Sequence, residues 1–407
     1  MKRRVLLTTT AYPPSTGGAQ ANVFELRERL INIEADVLTL WLQNRSDWLL
    51  GTTLRLGGQG LTQASPGVTT VGWSSSSRLR MLPWVMSYYF NPALTSKRIA
   101  AQMVPYVELA VHQEHQLIHN HRIGREFLAQ ASLAVARRRR IPFVLTPNHH
   151  PRWRGYRYEG WLDVYRAADA VLTLTQVEAE ELQRLGVSKD RLHVIFCAAD
   201  PPLPADANRF RARIGGSNAP LILFVGQQYS YKGVAELVAA TQAIRETGLM
   251  AELAFLGPAT PFSTRFFAQH AAPWLHVLGK VDEQTKWDAI EASSVVCLPS
   301  RQESFGRVYL EAWSRDKPVI GGRIPTSQEV ITEGETGLLA NLDSPKELAD
   351  ALARILSDPQ FAAALGRRGR SEVEGRFSWS GVVKRVEAAY DKAIERVAVA
   401  TSARSSS

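Results

Sequence analysis

Two hydrophobic periods alternate along this chain. Apolar runs of strand length recur at 4–10, 35–41, 67–73, 115–119, 142–146, 170–174 and 192–196. Between them, near 19–31, 97–111, 122–138, 156–168 and 176–185, apolar residues return at helical spacing. Strands buried on both faces read as continuous apolar runs, so this alternation predicts a parallel α/β sheet covered by helices. The first run passes through a glycine-rich loop, Ala11 to Gly18, straight into an amphipathic helix, as a first βα unit does. Segment 44–66 and the serine-rich 74–77 carry neither period and read as irregular insertions.

The pattern then breaks and restarts. Residues 200–206 are proline-rich, and beyond them strands are expected near 221–225, 251–256, 275–278, 294–298, 318–320 and 336–339. Helices near 346–357, 359–374 and 379–397 close the chain, and the polar residues 402–407 read as a disordered tail. The chain therefore divides into a domain over 1–200 and a second over 207–378. In doubly wound sheets a ligand binds outside the carboxyl ends of the strands, here in a cleft between the two.

The most informative stretch runs from Leu298 to Glu311 (LPSRQESFGRVYLE). Pro299 and Ser300 end an apolar strand, and Phe305, Val308, Tyr309, Ala312 and Trp313 fall on one helical face. That places Glu303 in the strand-to-helix loop and Glu311 about two turns inside the helix. Backbone N–H groups of Ser304, Phe305, Gly306 and Arg307 would stand free at the helix start and suit phosphate oxygens. Gly306 removes a side chain where a ligand would approach. A diphosphate would lie on that helix end, with one carboxylate toward a sugar and the other toward a nucleoside. The competing reading is a helix that merely carries surface glutamates.

Composition narrows the classes. A chain of 407 residues with 45% hydrophobic and 21% charged residues is that of a soluble globular protein of two domains. No secretory leader and no run of membrane-spanning length is expected, and two isolated cysteines, Cys197 and Cys297, fit a reducing cytoplasm. The net charge of +9 is uneven: residues 1–200 hold 24 Lys and Arg against 16 Asp and Glu, whereas residues 201–407 hold 24 against 23. An anionic acceptor or an anionic membrane surface is the partner this asymmetry suggests.

Within the first half, 78–93 interleaves Arg78 and Arg80 with Trp84, Tyr88, Tyr89 and Phe90, and 137–140 is a run of four arginines. Contact with a lipid interface and a buried helix edge followed by a solvated helix end both explain these segments. No motif supports nucleic-acid binding. Six of the nine histidines lie between His112 and His150. His119 and His121 share a strand face, but no third ligand follows at diagnostic spacing and no metal site is expected.

In this order, several segments resemble the family-4 retaining glycosyltransferases of the GT-B fold. The most specific is residues 299–339, with its two glutamates eight positions apart and its KPVI and TGLL continuation. YPPSTGGAQ, LIHNH, ADAVLTLTQVEAEELQRLGVSKDRLHVI and FVGQQYSYKG support it. The resemblance implies two Rossmann-like domains facing a cleft, with the C-terminal helix crossing back to the first. It implies that Glu303 contacts the donor sugar near its reacting carbon and that Glu311 binds the ribose hydroxyls. Lys232 would neutralise the departing diphosphate, Ser304 and the N–H groups of Phe305 to Arg307 would take the distal phosphate, and Gly17 and Gly18 would lie near the donor phosphates.

His150, or His149 one position earlier, would hydrogen-bond the donor sugar, and His119 and His121 would stand beside the cleft or act structurally. One departure concerns charge: Gly226 is followed by Gln227 where the family usually has arginine, so either Arg301 or Arg307 takes that role or donor turnover is weak. The implied activity is transfer of a hexosyl unit, with retention, from a UDP- or GDP-sugar to an acceptor hydroxyl on a sugar or lipid-linked molecule, as in cell-envelope polysaccharide or glycolipid synthesis. No metal or further cofactor is required. The implied location is the cytoplasm, peripheral to the inner face of the membrane. The rival readings are a nucleotide-sugar epimerase or hydrolase on the same fold and a non-catalytic sugar-nucleotide-binding subunit.

Overall fold

The computed structural model describes residues 3–15, 17–43, 60–88, 90–122, 127–149 and 159–405. The chain forms two compact units: Met1–Phe196 with Val382–Ser407, and Cys197–Gly381.

The first unit is built on strands β1 (Arg3–Ala11), β2 (Ile33–Trp41), β3 (Gly60–Ser65), β4 (Val68–Gly72), β5 (His115–His121), β6 (Phe143–Thr146), β7 (Ala170–Thr173) and β8 (Leu192–Val194). Among the described residues they form one sheet in the order β3-β4-β2-β1-β5-β6-β7-β8, parallel except for the β3–β4 pair. In β1, Val5, Leu6 and Leu7 are buried because strands flank it on both sides and the helix Phe127–Arg139 packs against it. The helix Trp379–Ser405 returns to this unit, as the resemblance implied. It is fastened there by Arg385 Nε donating to Ile195 O at 3.0 Å, by Arg396 to Asp190 at 2.5 Å, and by Tyr390, whose hydroxyl lies 2.7 Å from His119 Nδ1.

Three expectations for this half are corrected. Residues 74–77 are not an irregular insertion: Ser74 caps the helix Ser75–Met86 by accepting from Ser77 N at 3.1 Å, so serine marks a helix start here. Segment 44–66 ends in β3, which pairs antiparallel with β4 across a short turn, while residues 44–59 lie outside the described residues. The tail expected at 402–407 is helical through Ser405, and residues 406–407 lie outside the described residues.

The second unit holds β9 (Leu221–Val225), β10 (Glu252–Leu256), β11 (Leu275–Gly279), β12 (Val295–Leu298), β13 (Val319–Gly322) and β14 (Leu338–Ala340) in the parallel order β11-β10-β9-β12-β13-β14. The order reverses between β9 and β12, the switch point where such sheets take ligands. The proline-rich stretch lies inside this unit, and Asp206 caps the helix Ala207–Arg213. After β12 the helix begins at Arg307 rather than Phe305 and ends at Trp313, with Gly306 as its N-cap at φ 86°. The left-handed backbone at Gly306 cannot belong to a right-handed helix, and a methyl group there would overlap the Tyr309 ring. Glu311 therefore lies just past the first turn of that helix, not two turns in.

Burial makes the first unit sensitive to acid. His119 is fully buried between Tyr390 and Thr146, and His121 is buried with neither ring nitrogen hydrogen-bonded among the described residues. Burial, joined at His119 by its neighbour His121, pushes the His119 pKa well down, and burial alone pushes that of His121 to about 3. The unfolded chain takes up protons below the ordinary value of 6.5 while the folded chain does not, so stability is lost as pH falls. Each such histidine removes ~1.4 kcal/mol per pH unit below that value until its folded pKa is reached. In urea titrations between about pH 5 and pH 6.5, His121→Phe is expected to flatten the loss of stability by roughly one proton; an unchanged slope would assign the acid sensitivity elsewhere.

Candidate functional site

The carboxyl ends of β9 and β12 bring the two central residues of the sequence reading together. Lys232 lies in a 3-10 turn, Ser230–Lys232, that follows the β9 loop and leads into the helix Val234–Glu246. Gly233, at φ 75°, makes this turn possible, and a methyl group there would overlap Pro299 O and Leu342. The absence of a side chain lets the Lys232 turn rest on the turn after β12, where Arg301 N donates to Tyr231 O at 2.8 Å. The Lys232 ammonium then forms a hydrogen-bonded ion pair with Glu303 Oε2, both side chains being mostly buried. Thr326 Oγ1 holds the Glu303 carbonyl at 3.0 Å, and Ser304 N donates to Glu303 Oε1 at 3.2 Å. Removing either partner would leave a largely buried charge without its counterion, an arrangement that costs about 3–5 kcal/mol.

Glu311 stands in a second cationic setting. Lys286 Nζ lies 3.1 Å from its Oε1 and 2.7 Å from Glu283 Oε2. Burial opposes the lysine's charge, but Glu311 and Glu283 outweigh it and its pKa rises. Arg307, one turn before Glu311, pairs with Asp200 at 2.7 Å. Burial opposes its charge too, and Asp200 and then Glu311 overcome that. Arg301 turns away to Glu236 and to Asp343, at 3.1 Å from the latter. Both arginines considered as replacements for the missing cation thus sit against carboxylates.

Gly226 follows β9 with its N–H on Leu256 O at 2.9 Å, Gln227 is exposed, and Gln228 is buried with Nε2 on Gly257 O at 3.2 Å. Phe305 packs its ring edge-on against Phe377 at 5.6 Å and belongs to the core, which leaves only its backbone for a ligand.

The first unit carries the remaining residues. Gly17 caps the helix Gly18–Arg29 at the carboxyl end of β1. The His119 and His121 rings lie 3.9 Å apart between centroids, tilted by 38°, at the end of β5, on the shared face their spacing predicts. His149 is buried, and its N–H donates to Glu178 Oε1 at 2.6 Å. His150 lies outside the described residues.

Two residues escaped the sequence reading. Glu178 ties the loop after β6 to the end of β7, its Oε2 accepting from Leu174 N at 2.7 Å. In sequence it is one of several glutamates on an amphipathic helix. Lys286 showed only a local i,i+3 pairing with Glu283, and nothing in sequence linked it to Glu311, 25 positions on.

Comparison with known proteins identifies the family and the fold. The profile of the family "Glycosyl transferases group 1" matches residues 206–372, and that of "Glycosyltransferase Family 4" matches residues 68–202. A D-inositol 3-phosphate glycosyltransferase of Xylanimonas cellulosilytica is 31% identical over 272 residues, 62% of this chain and 64% of the relative. The chain spans less than two thirds of the length of the first curated relatives it matches.

Among solved structures, sucrose-phosphate synthase from Thermosynechococcus elongatus superimposes with a TM-score of 0.73 at 21% identity, covering 96% of this chain and 98% of that one. Anabaena HepE in complex with UDP-glucose does so with a TM-score of 0.68 at 17% identity, covering 98% and 99%. Two successive α/β units with parallel sheets, matched in order by the two profiles, have the GT-B fold, and the chain belongs to the family-4 glycosyltransferases.

Proposed function

We propose that the protein transfers a hexosyl unit, with retention, from a nucleoside diphosphate sugar to an acceptor hydroxyl. The observation that carries the reading is the largely buried Lys232–Glu303 pair at the switch point of the second sheet, with Glu311 on the short helix that follows. In the donor complex Lys232 turns its charge to the diphosphate, which is the leaving group, and cationic stabilisation counts for most where water is excluded. Glu303 accepts hydrogen bonds from the sugar, and Glu311 accepts them from the ribose diol. The bond from the anomeric carbon to the diphosphate oxygen breaks, and a bond to the acceptor oxygen forms on the same face. The acceptor's proton passes to a leaving phosphate oxygen. His150 and the backbone N–H groups of Gly306 and Arg307 are further donor contacts in this reading, with Gly17 and Gly18 near the phosphates.

The donor is a UDP- or GDP-sugar; the complex of HepE with UDP-glucose supports the class. Glu303→Gln and Lys232→Met are each expected to lower kcat by at least about 100-fold, whereas Glu311→Ala raises KM for the donor with a smaller effect on kcat. Nucleotide release with and without acceptor is the measurement. Wild-type kcat in both of the first two variants would overturn the site, and equal release without acceptor would favour a hydrolase.

The acceptor side of the reading is a lipid-linked or otherwise anionic molecule presented at an anionic membrane surface. Support comes from the helix Ser75–Met86 and the turn after it. Met81 and Val85 face the core, while Leu79, Met86 and Phe90 stand 72%, 56% and 86% exposed. Trp84 is half-buried under the Arg98 guanidinium at 5.6 Å, Tyr88 packs edge-on to Phe127, and Tyr89 lies outside the described residues. Among the described residues the exposed apolar row is aliphatic with one phenylalanine, and Trp84 and Tyr88 are turned inward. No Asp or Glu occurs from residue 48 to residue 107, while Arg55, Arg78, Arg80, Lys97 and Arg98 do. Apolar side chains beside cations match an anionic lipid interface. Among the described residues no helix is long and apolar enough to cross a membrane. Flotation with vesicles of phosphatidylglycerol and phosphatidylcholine is expected to carry the wild type with the anionic lipid only, and a Leu79→Ser, Met86→Ser, Phe90→Ser variant with neither; wild type absent from both would remove the membrane from the reading.

A further inference from the structure

We propose that Lys286 is a positioning residue of the nucleotide site, holding one oxygen of Glu311 so that the other is presented to a ribose diol, and that it thereby sets preference for an intact ribonucleotide. The inference rests on the donor reading of Glu311 and deepens it.

Lys286 and Glu311 reach each other from two separately anchored helices. The helix Glu283–Ala292 is capped by Asp282, which accepts from Thr285 N at 2.6 Å, and is pinned by the buried Trp287. The helix Arg307–Trp313 is fixed by Tyr309, whose hydroxyl donates to Leu298 O at 2.9 Å, and by Trp313, whose Nε1 donates to Thr336 O at 2.9 Å. With both backbones held, the 3.1 Å contact of Lys286 Nζ with Glu311 Oε1 fixes the carboxylate's rotation. Among the described residues Lys286 is the one hydrogen-bond partner of this carboxylate, and it engages Oε1 alone. Oε2 is left with two lone pairs, the number that a vicinal diol's two O–H donors require.

Both side chains are largely shielded, 13% exposed for Lys286 and 10% for Glu311, so water is a poor substitute partner. A shielded acceptor of fixed direction penalises a nucleotide that lacks the hydroxyls, because its lone pairs are then left unpaired. A surface ion pair would do none of this. The second partner of Lys286, Glu283, is 70% exposed and is such a pair; it steadies the ammonium without shaping the site.

The test is calorimetric binding of UDP and GDP and of their 2′,3′-dideoxy analogues to the full chain. For whichever base binds, the wild type is expected to favour the intact ribose by about tenfold or more, and Glu311→Ala to abolish that ratio. Lys286→Met is expected to reduce the ratio to roughly threefold or less, with dideoxy affinity changed less than about twofold. A merely structural lysine would weaken both nucleotides alike. Lys286→Gln, which keeps a neutral donor of similar reach, serves if the methionine variant does not fold, and its melting temperature is measured alongside. A full ratio in both folded Lys286 variants would overturn the inference while leaving Glu311's role intact. The absence of any ratio in the wild type would instead sink the ribose reading of Glu311, and the inference with it.

Discussion

A close approach between two turns of the second unit supports much of the candidate site. Gly233 lies so near Pro299 O that no side chain fits. This contact draws the Lys232 turn against the end of β12, where Glu303 follows four residues after Pro299. Two residues 71 apart in sequence thereby form one ion pair shielded from water. A charge in that setting is stable only while its counterion or a ligand is present. A diphosphate can take the place of Glu303 beside Lys232, and sugar hydroxyls can take the place of Lys232 beside Glu303. The ligand-free pair and the proposed donor complex therefore satisfy the same two charges with different partners.

A similar logic extends to the other carboxylate. Glu311 and Arg307 lie one turn apart on a short helix, yet Arg307 is drawn to Asp200 and Glu311 to Lys286. Each charge is compensated from a different segment, and the helix between them stays close to neutral. Neither arginine considered for the charge that Gln227 lacks is unengaged: Arg307 pairs with Asp200, and Arg301 is fixed by Glu236 and Asp343. In the proposed reading Lys232 carries most of the leaving-group charge, which makes it a more sensitive position than in a site where two cations share the load.

The strand ends of the first unit are tied together by buried polar groups and one carboxylate. His119 bridges Thr146 and Tyr390 and so joins the strand ends to the C-terminal helix. Asn120 Nδ2 donates to Thr8 O at 3.1 Å and to Thr8 Oγ1 at 2.9 Å, linking β5 to β1. Glu178 holds the backbone at His149. Such contacts fix loop positions at the carboxyl ends of the strands, where function resides in this class of sheet. Outside that framework, the helix Ser75–Met86 turns apolar residues to solvent, an arrangement that makes sense when a partner covers them.

The βα alternation, the two arrays and nearly all strand positions were legible in the sequence, because buried parallel strands are written as apolar runs of a fixed length. The Glu303 and Glu311 spacing and the Gly-Lys segments were legible for a similar reason: a short loop between a strand and a helix is a local object. Serine 74 as a cap and glycine 306 as the true helix start were misread, since a serine run and an apolar face look alike inside and outside a helix until the cap geometry is seen. Lys286 beside Glu311 and Lys232 beside Glu303 were decided by tertiary structure alone. Local pattern determines which segments become strands and helices, whereas the distance between two charges on different segments is set by how the sheet and its turns pack, and a single sequence carries no period that records it.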